Sequence, residues 1–303
     1  MKFLETKKIG LLLRVFAARE ELVAGQVEKT IEAVRHASLL HNYGKTVFSR
    51  VDILVPRDDR FEDSDCGKTV DALWTVIPVA FPAPLPFVVS IRPIWHGDIF
   101  CSVLNRGVAI QMREGMDYSA ILSAQVASYL DYETFDAVIC ALEDGAKVAG
   151  VALEELTESI RKGRIANTFA VWDNVALMTV GGFDLRAHKP RKGEKLVPYL
   201  RGWNKEKEEK DGDGAVYYHQ AGVEEIAPLV RLVELYGPCI APILPQGKGA
   251  KQWVTPDPVK DPEGYARHLK KMGTKMERQT AHALALGADL SFLEGGVMPK
   301  YRQ

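Results

Sequence analysis

Cysteine is scarce in this 303-residue chain, and no two of the four (Cys66, Cys101, Cys140, Cys239) form a Cys-x-x-Cys pair. That spacing excludes a cysteine-built zinc site and a redox dithiol, and it fits a reducing compartment where thiols serve as small buried hydrophobes. The seven histidines show neither HExxH nor HxH spacing, so they offer no metal signature. Charge of one sign is also lacking. A formal net charge of -1 leaves no broad basic field for nucleic acid or anionic lipid. The opening residues MKFLETKKIG hold no apolar h-region, so they do not read as a secretory signal. The longest apolar stretch, Val76 to Ile91, carries four prolines and cannot make a spanning helix. The expectation is a cytoplasmic protein with no integral membrane segment and no nucleic-acid partner. There is no GxSxG elbow to anchor hydrolase chemistry. Cys66-Gly67-Lys68-Thr69 resembles the end of a phosphate-binding loop, but the required first glycine is replaced by Glu62 in an acidic stretch.

What is present is an ordinary globular composition, 47% apolar and 26% charged, long enough to bury a large core. Ile9 to Phe16 is a continuous apolar run of strand length, expected of a strand covered on both faces in a mostly parallel sheet. A long helix should follow, with Val27, Ile31 and Val34 on one face. Val51 to Val55 reads as a second strand that runs into Pro56 and the acidic loop RDDRFEDSD. A β–α–β opening with a polar loop at the strand's end is how doubly wound folds build ligand sites.

Further along, the proline-rich stretch from Pro78 to Pro93 suggests a strand flanked by extended chain. Helices are expected over Ser102 to Met112, Thr134 to Asp144 and Glu224 to Leu235, with strands over Tyr118 to Leu122 and Lys147 to Leu153. Trp203 to Gly214 is charged and glycine-bearing, which predicts an exposed loop. Beyond Pro256, helices over Glu263 to Met272 and Met276 to Leu286 would form a cap or an oligomer contact. The expected division is therefore a core over 1–255 and a helical extension over 256–303.

The centre of the chain resembles the family-2-type inverting glycosyltransferases of the GT-A fold, which use nucleotide sugars. The likeness lies in the order of several segments: LNRGVAIQMREGMDYSAILSAQ (Leu104 to Gln125), GAKVAGVA, RKGRIANTFAVWDNVALMTVGGFD (Arg161 to Asp184) and GVEEIAPLVRLVELYGPCIAPI (Gly222 to Ile243). The third ends in the family's Gly-Gly-Phe-Asp, at Gly181, Gly182, Phe183 and Asp184. The first carries the Asn-x-Gly helix, with Asn105, ahead of the buried strand. Near the N-terminus VFAAREE stands where the family has Pro-x-x-Asn-Glu, without the Pro and Asn.

The resemblance implies a Rossmann-like three-layer α/β/α core and an enzyme of hexosyltransferase type. It would take a sugar from a nucleotide-diphosphate donor to an acceptor hydroxyl with inversion. Asp58 or Asp59 would accept hydrogen bonds from base or ribose, and the Gly181-Gly182 pair would let backbone approach the sugar. Glu225, or Glu224, would be the general base, although a helix start also favours acids for its dipole. Where the family has Asp-x-Asp for a divalent cation, this chain reads Ser123-Ala124-Gln125, which are poor ligands for a hard ion. Either Lys and Arg side chains neutralise the diphosphate, with Arg106, Arg161, Lys162, Arg164 and Arg231 as candidates, or the protein binds nucleotide, sugar or a protein partner without catalysis. Trp172 reads as a core aromatic rather than a sugar-stacking one.

Overall fold

The computed structural model describes residues 3–17, 20–42, 44–56, 66–94, 101–124, 127, 131–151, 165, 169–184, 208–210, 216–218, 223–243, 258–259, 262, 265–266, 269 and 275–302. After a short helix α1 (Phe3–Thr6) come β1 (Ile9–Arg14), α2 (Val23–Leu39), β2 (Phe48–Pro56), α3 (Cys66–Ala80), β3 (Val88–Ile94), α4 (Cys101–Arg113), β4 (Tyr118–Leu122), α5 (Tyr132–Glu143), β5 (Val148–Val151), β6 (Phe169–Asp173), α6 (Asn174–Thr179), α7 (Ile226–Tyr236), β7 (Ile240–Ile243), α8 (Lys275–Ala285) and α9 (Leu290–Gly295). This is an alternating α/β chain.

The seven strands form one sheet in the order β3-β2-β1-β4-β6-β5-β7. All neighbours pair parallel except β6, which runs antiparallel to both β4 and β5. The three apolar runs read from the sequence, in β1, β2 and β4, are adjacent parallel strands. Side chains alternate between two cores, one on each face. Leu11, Leu13, Ile53, Leu122 and Phe169 join α2, α3 and α5 on one side. Leu12, Leu54, Ile121 and Trp172 join α4, α6, α7, α8 and α9 on the other. With helices on both faces the architecture is three-layered, and the strands are apolar on both sides because neither side meets water. Truncating one of these fully buried leucines to alanine would cost about 2–5 kcal/mol.

Local signals set the helix boundaries. Asp131, Asp173 and Asp289 cap α5, α6 and α9, each carboxylate accepting a backbone N–H three residues on, from Thr134, Ala176 and Phe292. In α2, Val23, Val27, Ile31 and Val34 are buried at helical spacing. Two expectations are corrected. The region before Pro82 is not extended: α3 runs through Pro78 to Ala80, and the strand begins only at Val88. Proline removes the bond to the Trp74 carbonyl, and Trp74 is an exposed residue whose carbonyl can turn to water. Within the predicted 203–214 loop, Glu208–Lys210 pairs antiparallel with Val216–Tyr218.

The described residues of the tail reach both cores. Ala283 and Leu293 are buried in the second, Met298 and Tyr301 pack against the first, and Val297 bridges Ile240 at the edge of the sheet. The Glu263 to Met272 helix falls mostly outside the described residues, whereas the Met276 to Leu286 helix is α8. Among the described residues no helix is long and apolar enough to cross a membrane.

Candidate functional site

From β1 the chain steps outward to β2 and β3, then returns to the other flank of β1 as β4. The strand order therefore reverses between β1 and β4, and open α/β sheets bind ligands at the carboxyl ends of the two strands flanking such a point. Those ends are Arg14 and the Ser123-Ala124 pair that follows Leu122. Leu12 pairs with Ile121 and Leu13 with Leu122, and Arg14 and Ser123 are the next residue along each chain. Leu12 and Ile121 both enter the core beneath α4 and α7. Two residues per pleat then puts Arg14 and Ser123 on that same face.

The second component is the turn after α6. Gly181 and Gly182 have φ of 88° and 72°, the left-handed region in which a β-carbon is strained. Gly182 also lacks room, because a Cβ there would overlap the Asn105 side-chain amide. That amide clamps the next residue: Asn105 Nδ2 donates to the Phe183 carbonyl at 2.9 Å, and Phe183 N donates to Asn105 Oδ1 at 2.8 Å. The Phe183 ring meets Trp172 edge-on at 5.1 Å. Trp172 is fully buried, so it is core and has no face for a sugar. Arg231 of α7 closes the turn, donating to Asp184 Oδ2 at 3.3 Å and to the Val180 carbonyl at 3.4 Å.

The third component is the acidic turn that opens α7. Glu224 accepts from both terminal nitrogens of Arg14, with contacts of 3.0 to 3.3 Å. Glu225 stands at the helix N-cap without a side-chain capping bond and is 4% exposed. The turn is tied from behind by His282 of α8, whose Nδ1 lies 3.2 Å from both N and O of Val223. Burial holds this imidazole down at about 4, with the backbone bond to Val223 and nearby Asp184 opposing the shift. His282 is therefore neutral near pH 7.

The structure thus brings Asn105 to Gly182 and Phe183, Arg231 to Asp184, and Glu224 to Arg14. Arg106 lies exposed on α4. Asp58, Asp59, Gln125, Arg161, Lys162 and Arg164 lie outside the described residues. Among the described residues no group of three or more His, Cys, Asp or Glu could hold a metal. A serine hydroxyl beside an arginine does not fit a hard divalent cation, which calls for carboxylate oxygens. Sequence reading missed Arg14 and His282. The available signal for Arg14 was its place as the first charge after five residues of apolar strand, at the end where such folds bind ligands. Nothing in the spacing singles out His282.

A separate groove of about 1020 Å³ lies on the other face, between α2 and α3, and holds none of these residues.

No family model matches the chain, and no curated protein matches it. Among solved structures the chain is similar to the mannosyltransferase PcManGT of Pyrobaculum calidifontis, solved with GDP-Man and Mn2+. The two are 10% identical with a TM-score of 0.39, and the match covers 93% of this chain and 75% of that one. A likeness at that level fixes neither a family nor an activity.

Proposed function

We propose that the chain is a glycosyltransferase of GT-A type that moves a sugar from a nucleotide-diphosphate donor to an acceptor hydroxyl with inversion, with no divalent cation held at Ser123. The observation that carries this reading is the meeting of the β1 strand end with the acidic turn of α7 at the point where strand order reverses, seen in the Arg14–Glu224 contact of 3.0 Å. A ligand edge, a glycine turn locked by Asn105 and a pair of carboxylates are the parts this chemistry requires.

Inversion is a single displacement. The acceptor oxygen attacks the anomeric carbon, the carbon–oxygen bond to the diphosphate breaks, and the diphosphate leaves with the electron pair. One carboxylate takes the acceptor proton, a role worth about 10²–10⁴ in rate. We assign it to Glu225, which stands at the start of α7 where the resembling family has its aspartate base. The Asn105 clamp fixes the Gly181–Asp184 backbone against α4, which orients the sugar. Donor base and ribose are assigned to Asp58 or Asp59, and the diphosphate to arginine side chains. The segment from 256 onward is proposed as an extension that caps α7.

The test is a thermal-shift titration with UDP, GDP and ADP, run with EDTA and again with Mn²⁺. Stabilisation that survives EDTA supports the reading. A shift seen only with metal contradicts the cation-free form, and no shift with any nucleotide contradicts the whole.

One observation favours a second reading, a nucleotide or sugar binder without catalysis. Glu224 is already neutralised by Arg14 and Glu225 is 4% exposed. Nucleotide binding with no turnover of any donor would select it.

A further inference from the structure

We propose that Arg14 receives the donor's diphosphate and that Glu224 is its resting partner, displaced when the ligand arrives. This rests on the transferase reading above and names the group that would meet the diphosphate's charge.

The argument is positional first. Arg14 follows Leu13 in β1 as Ser123 follows Leu122 in β4, and Leu13 and Leu122 are register partners. Adjacent strands lie about 4.8 Å apart, and the β1–β4 pairing ends at Leu13 and Leu122, so Arg14 and Ser123 are the residues at which the two chains leave that edge. A permanent positive charge thus sits at the end of the strand next to the one that leads into Ser123. Arginine stays ionised at any working pH and offers a planar fork that fits carboxylate and phosphate oxygens alike.

The second part of the argument is accessibility. A purely structural pair between β1 and α7 could be sealed in the core, as Asp52 and Arg50 are in this molecule at 0% and 9% side-chain exposure. The Arg14 and Glu224 side chains instead keep 30% and 15% exposure. A diphosphate at the switch point would meet the guanidinium from its open side. It carries more charge than a carboxylate and competes for the same donors. Losing Arg14 frees Glu224 next to Glu225, so donor binding changes the charge of the acidic turn before the acceptor is deprotonated.

The two halves of the proposal predict opposite signs, which separates it from a stabilising ion pair. The full chain is titrated calorimetrically in EDTA with UDP, GDP and ADP, the matching nucleosides, and inorganic pyrophosphate. Arg14→Gln should weaken the preferred nucleoside diphosphate by about tenfold or more, the loss typical of a hydrogen bond to a charged group, while nucleoside affinity stays unchanged. Arg14→Lys should recover part of that loss. Glu224→Gln should tighten the diphosphate several-fold, because the internal competitor has lost its charge. If both variants weaken binding alike, in step with a drop in Tm, the pair is only structural and the proposal fails. If the nucleoside diphosphate binds but Arg14→Gln leaves it unchanged, Arg14 is not the anchor and the transferase reading survives. If pyrophosphate binds through Arg14 but no nucleotide does, the anion site stands and the transferase reading falls. Wild-type protein that binds neither would overturn both.

Discussion

Asn105 and Phe183 are 78 residues apart, yet one side-chain amide satisfies both backbone polar groups of the other, at 2.9 and 2.8 Å. The contact pins the glycine turn to α4, so the shape of the turn depends on a helix formed much earlier in the chain. Asn105→Ala leaves a part-buried N–H and C=O without these partners, at about 1–3 kcal/mol. Asn105→Asp keeps the acceptor and loses the donor, so it should cost less. Chemical denaturation of the three proteins checks the order. Equal stability of all three would contradict the clamp.

Gly182→Ala should be worse than Gly181→Ala. Both have positive φ, at about 1–2 kcal/mol for a β-carbon, but only Gly182 would also drive its Cβ into Asn105, whereas the nearest atom at Gly181 is Arg231 Nη1 at 3.5 Å. Asn105→Ala should relieve part of the Gly182→Ala penalty, and a double-mutant cycle measures that coupling.

The opposite end of the sheet holds a buried polar network. Arg50 Nε donates to Asp52 at 2.8 and 2.9 Å, Gln111 Nε2 donates to Asp52 Oδ2 at 3.2 Å, and Ser119 Oγ donates to Gln111 Oε1 at 2.7 Å. Arg50 keeps Glu114 at 3.1 Å, so Asp52→Ala leaves the guanidinium partly paired while removing an acceptor from Arg50 and Gln111, and it should cost about 1–3 kcal/mol. It should leave nucleotide affinity unchanged in the folded protein. A loss of affinity without a loss of stability would place Asp52 in the site instead.

His282 gives the fold a pH dependence. Its folded pKa is lowered from 6.5 to about 4 by burial. Below about 6.5 the unfolded chain takes up a proton that the folded chain refuses. Stability therefore falls as pH drops from about 6.5 to about 4 and levels off below, with no contribution above that window. At 1.36 kcal/mol per pKa unit the full loss is about 3 kcal/mol. Stability of wild type and His282→Phe measured from pH 7.5 to 4 should show the variant with a flatter profile across that window. Parallel profiles would contradict the assignment.

The central strands were legible because burial on both faces writes a mostly apolar run, as in Ile9 to Leu13 and Tyr118 to Leu122. The edges of the sheet were not. β3 carries Pro93 and β7 carries Pro242, residues that read as strand breakers but are tolerated on the two end strands of the described sheet. Helix α3 was hidden by Pro78 in its last turn. In the candidate site, the Gly181-Gly182 turn was readable because paired glycines mark backbone of positive φ. Arg14 was not, since its meaning comes from a carboxylate 210 residues away and from a strand register that no local pattern encodes.

In the proposed reaction a carboxylate at the start of α7 deprotonates the acceptor. The most direct measurement compares wild type and Glu225→Gln, using the preferred donor in EDTA and following nucleoside diphosphate release against acceptor concentration. The expected result is a fall in kcat of about 10²–10⁴, with donor Kd nearly unchanged and a product of inverted anomeric configuration in the wild type. Full activity in Glu225→Gln, or a retained anomeric configuration, would contradict it.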